Sequence, residues 1–327
     1  MREFLFFLYF GLMLWIKGVG MTGGTFYNAV LFFTTLFVII GMLFFWRATP
    51  EEYLVDAALL ILCGILPWRI AGNQGPLWCI LLVIAMRCGI SAGRAVAFAG
   101  KVWGFAFLLQ MIVQLTWTKP RDFVIHQRFG IRYVIRWALG YSHPNVLQIF
   151  CALLIMLAFY HFRPRGRRLI PALLMAVVFG GWVFLYSLST TGLLLLMVFL
   201  ACYTLFLKWE KEGSGNGTDP AVESEAYPRW IGVIVQIYLP MVVIVSLGAP
   251  LLLKGKAFDL VNRLFHTRPA LTRRYLTEIG LSAFGSPEDL GRTAMLDCSY
   301  ANLLVWGGVI PFLILCLGLF FLMRRLL

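Results

Sequence analysis

The chain has 327 residues, 61% of them hydrophobic and only 13% charged, with a formal net charge of +13. An average soluble domain is about 45–50% apolar and about 25% charged, and a soluble fold of this length cannot hide the excess apolar surface. The positive charges lie between long apolar runs, which makes them topology-setting loop charges and argues against nucleic acid as a partner.

A helix needs roughly 20 apolar residues to cross the hydrocarbon core of a bilayer. The runs predict an all-α polytopic membrane protein with about ten transmembrane helices, at 3–18, 28–46, 53–70, 76–88, 95–117, 144–162, 169–188, 191–208, 230–253 and 300–323. The first lacks a small-residue cleavage site and is read as a retained span. The fourth is short. Trp15, Trp46, Trp68, Trp103, Trp117, Trp209 and Trp230 lie mostly near span ends, as interfacial aromatics do. Six of the seven cysteines lie in or beside apolar runs without paired spacing, so neither a disulfide framework nor a zinc site is indicated. Asp56 in the third span and Lys101 in the fifth are intramembrane charges, which are functional candidates by default.

Orientation follows from Lys and Arg in short loops. The Arg163–Arg168 connection and the terminal Arg324-Arg325 fall on one side of a ten-span chain, and both are expected in the cytoplasm with the N-terminus. The segment 209–229, rich in Gly, Ser, Glu and Asp, becomes a flexible cytoplasmic linker. Two long loops, 118–143 and 254–299, then fall outside, within one integral membrane domain spanning 1–327.

Both outer loops break the charge rule. Loop 118–143 carries Lys119, Arg121, Arg128, Arg132 and Arg136 against Asp122. Loop 254–299 carries seven positive and five negative residues. Arg128, Arg132 and Arg136 recur every four residues, which predicts one stripe of an amphipathic surface helix ended by Gly140. In the second loop, Phe258 to His266 reads as a helix. Thr267-Arg268-Pro269 then reads as an N-cap and an early proline opening a second helix, about 269–279, stopped by Gly280. The free N–H groups at that helix start, beside Arg268, suggest an anion site. Together the loops would line an outer basin with arginine, the residue suited to bidentate phosphate recognition. His143 and His266 are the loop groups that titrate near neutral pH. Such a basin suits a lipid-linked diphosphate. No P-loop, GxGxxG, HExxH or DxD-type motif is present, so any bond made must draw on an activated substrate already in the membrane.

Five segments, in order, carry a resemblance. Arg136-Trp-Ala-Leu-Gly-Tyr-Ser-His143-Pro-Asn145 resembles the R…LG…HPN segment of bacterial O-antigen and capsule polymerases, relatives of the O-antigen ligases. Tyr186-Ser-Leu-Ser189-Thr-Thr-Gly192 is similar to their Y-x-x-S-x-(S)RTG turn, with Thr190-Thr191 where they carry Arg. Asn262-Arg263 followed by Arg268 resembles a segment of their last large outer loop, and Gly285 falls at their FG motif. Asp297-Cys-Ser-Tyr300 with Leu303, Leu304 and Gly307-Gly308 resembles their D-N-S-Y…LL…G ending, with Cys298 for Asn.

The resemblance, over about 130–320, implies a lipid-linked glycosyltransferase of a bacterial inner (plasma) membrane. It would join oligosaccharide units carried on undecaprenyl diphosphate into capsular, exo- or O-antigen polysaccharide, alongside a flippase and a chain-length regulator. No metal or other cofactor is implied. Arg136, His143 and Arg268 are the expected catalytic residues, with Arg136 on the diphosphate and His143 orienting or deprotonating the acceptor hydroxyl. Arg128, Arg132, Arg263, Arg273, Arg274, Asn145, Asp297 and Tyr300 are the expected substrate-binding residues. Blander readings stand beside these: His143 capping the sixth span, Arg274 pairing with Glu278, Asn145 and Ser189 bonding between helices, and Asp297 holding an arginine. An O-antigen-ligase-like transferase and a flippase or transporter of lipid-linked sugars are the alternative functions. A flippase should show charges within spans and similar halves, which this chain has little of.

Overall fold

The computed structural model describes residues 2–21, 25–45, 49–72, 75–86, 90–117, 123–128, 132–213, 229–265, 267–287 and 299–326. In chain order the helices begin with α1 (Arg2–Gly18), α2 (Thr25–Phe45), α3 (Pro50–Leu60), α4 (Leu66–Ala71), α5 (Gly75–Met86) and α6 (Ala92–Thr116). An antiparallel hairpin of β1 (Phe123–Arg128) and β2 (Arg132–Trp137) follows. Then come α7 (Pro144–Phe162), α8 (Leu169–Ser187), α9 (Thr190–Gly213), α10 (Arg229–Val243), α11 (Ala249–Leu252), α12 (Gly255–Leu264), α13 (Arg268–Glu278), α14 (Ser299–Asn302) and α15 (Val309–Leu326).

The chain is a helical membrane protein. Among the described residues five helical stretches are long and apolar enough to cross a bilayer: Pro50–Ala71, Gly93–Thr116, Pro144–Phe162, Gly166–Ser187 and Thr190–Lys208. They answer to the expected third, fifth, sixth, seventh and eighth spans. Thr25–Gly41, Gln236–Leu252 and Val309–Phe321 are shorter apolar helices. Leu174, Met175, Val178 and Leu185 along α8 are exposed, which suits a surface solvated by lipid.

The chain resolves into two compact units, Met1–Trp46 with Ala85–Thr218, and Arg47–Ile84 with Asp219–Leu327. In the first, α6, α7, α8 and α9 meet around Phe107, Leu139, Tyr141, Leu147, Cys151, Val183 and Leu196. Glu3 and Arg94 pair at 2.9 and 3.1 Å, joining the starts of α1 and α6 at one end of this unit. Tyr203 donates to the Pro164 carbonyl, which brings α9 to the loop that follows α7. At the other end the Tyr141 hydroxyl donates to the Gly18 carbonyl at 2.6 Å. Burial pushes that phenol above its ordinary pKa, so the donor persists across the neutral range.

The second unit is built on interrupted helices. Ile61–Ile65, Ile244–Gly248 and Leu303–Gly307 are π turns. Two of them sit just before Pro67 and Pro250. A proline ring clashes with the carbonyl four residues earlier, here Cys63 and Ser246, and the wider π turn moves that carbonyl away. The third ends at Gly308, whose φ of 96° and ψ of 164° break the helix before α15. A break in the spanning region leaves backbone groups that lipid cannot satisfy. The segment 282–286 closes it. Ser286 N–H donates to the Val305 carbonyl, while Val309 and Ile310 N–H donate to the Ser282 and Ala283 carbonyls. Tyr275, Ala301 and Val305 form the small core beside this junction, with the Trp306 ring edge-on to Tyr275.

Candidate functional site

The first basic loop is a β-hairpin, correcting the expected surface helix. Val124, Ile125, Tyr133, Val134 and Ile135 are β-branched or aromatic and favour strands. The four-residue arginine spacing fits both structures, because four is close to a helical turn and is also an even number. The register pairs Phe123 with Trp137, Val124 with Arg136 and Arg128 with Arg132. Arg128 and Arg132 are therefore cross-strand partners at the far end of the hairpin, and Arg136 shares a face with Val124 and Val134. Phe123, Ile125, Tyr133, Ile135 and Trp137 share the other. Gly140 has a positive φ but stops no helix; it forms the turn from β2 into α7.

Arg136 turns into the protein and is only 6% exposed. Its Nε donates to the Ser187 carbonyl at 2.8 Å, and a terminal nitrogen donates to Asn145 Oδ1 at 2.5 Å. Ser187 ends α8, where Leu188 takes a left-handed conformation (φ 45°). The last carbonyls of a helix lack intrahelical partners and carry the negative end of its dipole, so a guanidinium is a fitting cap. The cluster extends inward. Ser187 Oγ donates to Gln148 Oε1 at 2.9 Å, and Gln148 Nε2 donates to the Gly180 carbonyl at 3.1 Å. Ser189 N–H donates to Ser187 Oγ, and Gly192 N–H donates to Ser189 Oγ, opening α9. Gln148, Ser187 and Ser189 are buried. One arginine thus ties β2 to α7, α8 and the start of α9. Asn145 thus bonds an arginine of β2 and Ser189 Oγ caps the start of α9, in place of the expected bonds between helices.

His143 is the N-cap of α7, its Nδ1 accepting the Asn145 N–H at 3.1 Å. An accepting Nδ1 puts the proton of the neutral ring on Nε2. The capping role expected of His143 takes this form.

In the second unit α12 and α13 form where expected, but the anion site at the start of α13 does not. Thr267 occupies the N-cap position with φ 66° and makes no side-chain cap bond. Arg268 N–H donates to Phe265, Ala270 N–H to Asn262 Oδ1 and Leu271 N–H to Thr267, while Pro269 has no N–H. The donors of the first turn are spent within the protein. Arg273 is also engaged, correcting its place among the ligands. It donates to the Pro250 and Leu253 carbonyls at the end of α11 and lies 3.7 Å from the Phe258 ring centroid. Arg274 pairs with Glu278 at 2.8 Å on the surface, the blander of its two readings. Arg263 is exposed, while Arg268 and Tyr300 are half-buried. Asp297, His266, Cys298 and residues 118–122 lie outside the described residues.

Gln148 and Ser187 were not singled out by sequence reasoning, and Asn262 was named only as part of a motif, without a structural role. Gln148 had a signal, an amide inside an apolar span three residues after Asn145. Asn262 had none for its capping role, because its partner lies eight residues away across a turn. Among the described residues no three of His, Cys, Asp and Glu gather as a metal site. Comparison with protein-family models, curated proteins and solved structures finds no match to the chain.

Proposed function

We propose that the chain is a metal-independent, membrane-embedded polymerase that joins undecaprenyl-diphosphate-linked oligosaccharide units into a cell-envelope polysaccharide. In this reading ten spans leave both termini in the cytoplasm of a bacterial inner membrane and put the hairpin outside. The observation that carries it is a convergence. Arg136, Asn145 and the Ser187–Gly192 turn are the pieces that resemble polymerase motifs, and they are hydrogen-bonded into one buried cluster across 51 residues of sequence.

The chemistry needs a cationic place for a leaving diphosphate. The bond broken joins a sugar anomeric carbon to a diphosphate oxygen, which departs with the bonding pair. The bond formed joins that carbon to a hydroxyl of the incoming unit, whose proton passes to the diphosphate or to solvent. Arg128 and Arg132, directly opposite in the hairpin register, are the proposed phosphate ligands. Like charges set opposite on a sheet repel, and an anion between them relieves that. Arg136 is the positioning residue at the root of the strand. Arg263 and Arg268 are the candidate ligands of the second unit.

Deleting the gene and analysing lipid-linked glycans tests this. A polymerase deletion accumulates single repeat units on the outer leaflet, and wild-type chain restores long polymer. Accumulation on the cytoplasmic leaflet instead would mean a flippase. Finished polymer that fails to reach its final acceptor would mean a ligase.

A further inference from the structure

The two faces of the hairpin differ sharply. Phe123, Ile125, Tyr133 and Ile135 project from one face and are exposed, Tyr133 at 73%. The Phe123 and Trp137 rings meet edge to face at 5.5 Å at the base of that face. The opposite face holds Val124, Val134 and the buried Arg136. A lone two-stranded ribbon is marginal in water, so an uncovered aromatic and aliphatic face calls for support.

Position fixes what that support is. β1 begins seven residues after α6 ends at Thr116, and β2 ends seven residues before α7 begins at Pro144. Both flanking helices include membrane-crossing stretches, so the hairpin is rooted at a bilayer surface. Trp117, at the end of α6, is 83% exposed, as an interfacial anchor is. The open edges of the hairpin set its depth. Unpaired strand N–H and C=O groups are not tolerated in hydrocarbon but are satisfied among hydrated head groups. Amphipathic elements of this kind bury their apolar face about 5–10 Å below the head-group boundary.

We propose that the hairpin is a lipid-bound paddle: Phe123, Ile125, Tyr133 and Ile135 rest in the interfacial zone of the bilayer. This rests on the membrane character of the chain and is independent of the polymerase reading. The test uses full-length protein in lipid nanodiscs with an environment-sensitive dansyl amino acid at position 125 and, separately, at 135. A nitroxide near the head of the acyl chain should quench both severalfold more than one near its end, and aqueous iodide should quench little. Strong iodide quenching without nitroxide quenching would place the face in water and overturn the proposal. Shielding from both quenchers would mean that protein covers the face, and would overturn it too.

Discussion

A guanidinium buried to 6% exposure has to be satisfied by its surroundings, because each donor removed from water carries a desolvation cost. Arg136 meets this by capping the carbonyl end of α8 and holding Asn145 at the start of α7. Gln148 does the same deeper in the bundle, linking Ser187 to the Gly180 carbonyl. Interhelical hydrogen bonds in membrane proteins average about 0.6 kcal/mol, while an orphaned buried partner costs about 1–3 kcal/mol. Gln148→Leu removes two such bonds and leaves the buried Ser187 O–H without its acceptor, so it should destabilise the protein by about 1–3 kcal/mol, read as an earlier thermal unfolding transition in detergent. An unchanged transition would mean that the cluster is not structural. At this scale the sequence was legible in identity and misleading in conformation. Arg132 and Arg136 lie four apart on one strand, with Arg128 across the turn on the other, and a spacing of four cannot tell the helical period from the strand period.

Among the elements, the interrupted helices of the second unit hold the least tolerant positions. A Cβ on Gly308 would lie 2.4 Å from Gly285 N, and one on Gly285 would lie 2.2 Å from the Trp306 carbonyl oxygen. Gly308 also has a backbone conformation essentially restricted to glycine, worth about 1–3 kcal/mol of strain for another residue. Gly308→Ala should therefore lower the yield of monodisperse protein in size-exclusion chromatography. A neutral outcome would mean that segment 282–286 does not pack as described. Arg273→Ala should uncap α11 and cost about 1–3 kcal/mol of stability while leaving binding of a lipid-linked diphosphate within about twofold. A selective loss of binding with unchanged stability would restore Arg273 as a ligand. The long spans were readable from apolar length alone. Their π turns were not, because a proline in an apolar run predicts a disturbance without saying which kind. The engagement of Arg273 was equally hidden, since its carbonyl partners lie 20 and 23 residues away.

For the whole molecule, the ends of each unit group as the alternation of spans requires. In the first unit Gly18, the Tyr141 turn and the Ser187–Gly192 turn lie at one end, and the Glu3–Arg94 pair lies at the other. In the second unit segment 282–286 pairs with the start of α15, and Arg273 of α13 holds the end of α11. The proposed topology, with both termini in the cytoplasm, predicts that an impermeant maleimide applied to intact cells labels Cys298 but not a cysteine introduced at Gly166. Labelling of the reverse pair would invert the topology. The proposal that function resides at the hairpin end of the first unit is tested most directly by reconstitution. Full-length protein in proteoliposomes would be given an undecaprenyl-diphosphate-linked repeat unit, and glycan length followed by electrophoresis. The account predicts a ladder of lengthening chains with wild type, loss of extension by at least about tenfold with Arg136→Ala, and little recovery with Arg136→Lys, which keeps the charge but not the planar fork. Extension by Arg136→Ala at the wild-type rate would contradict it.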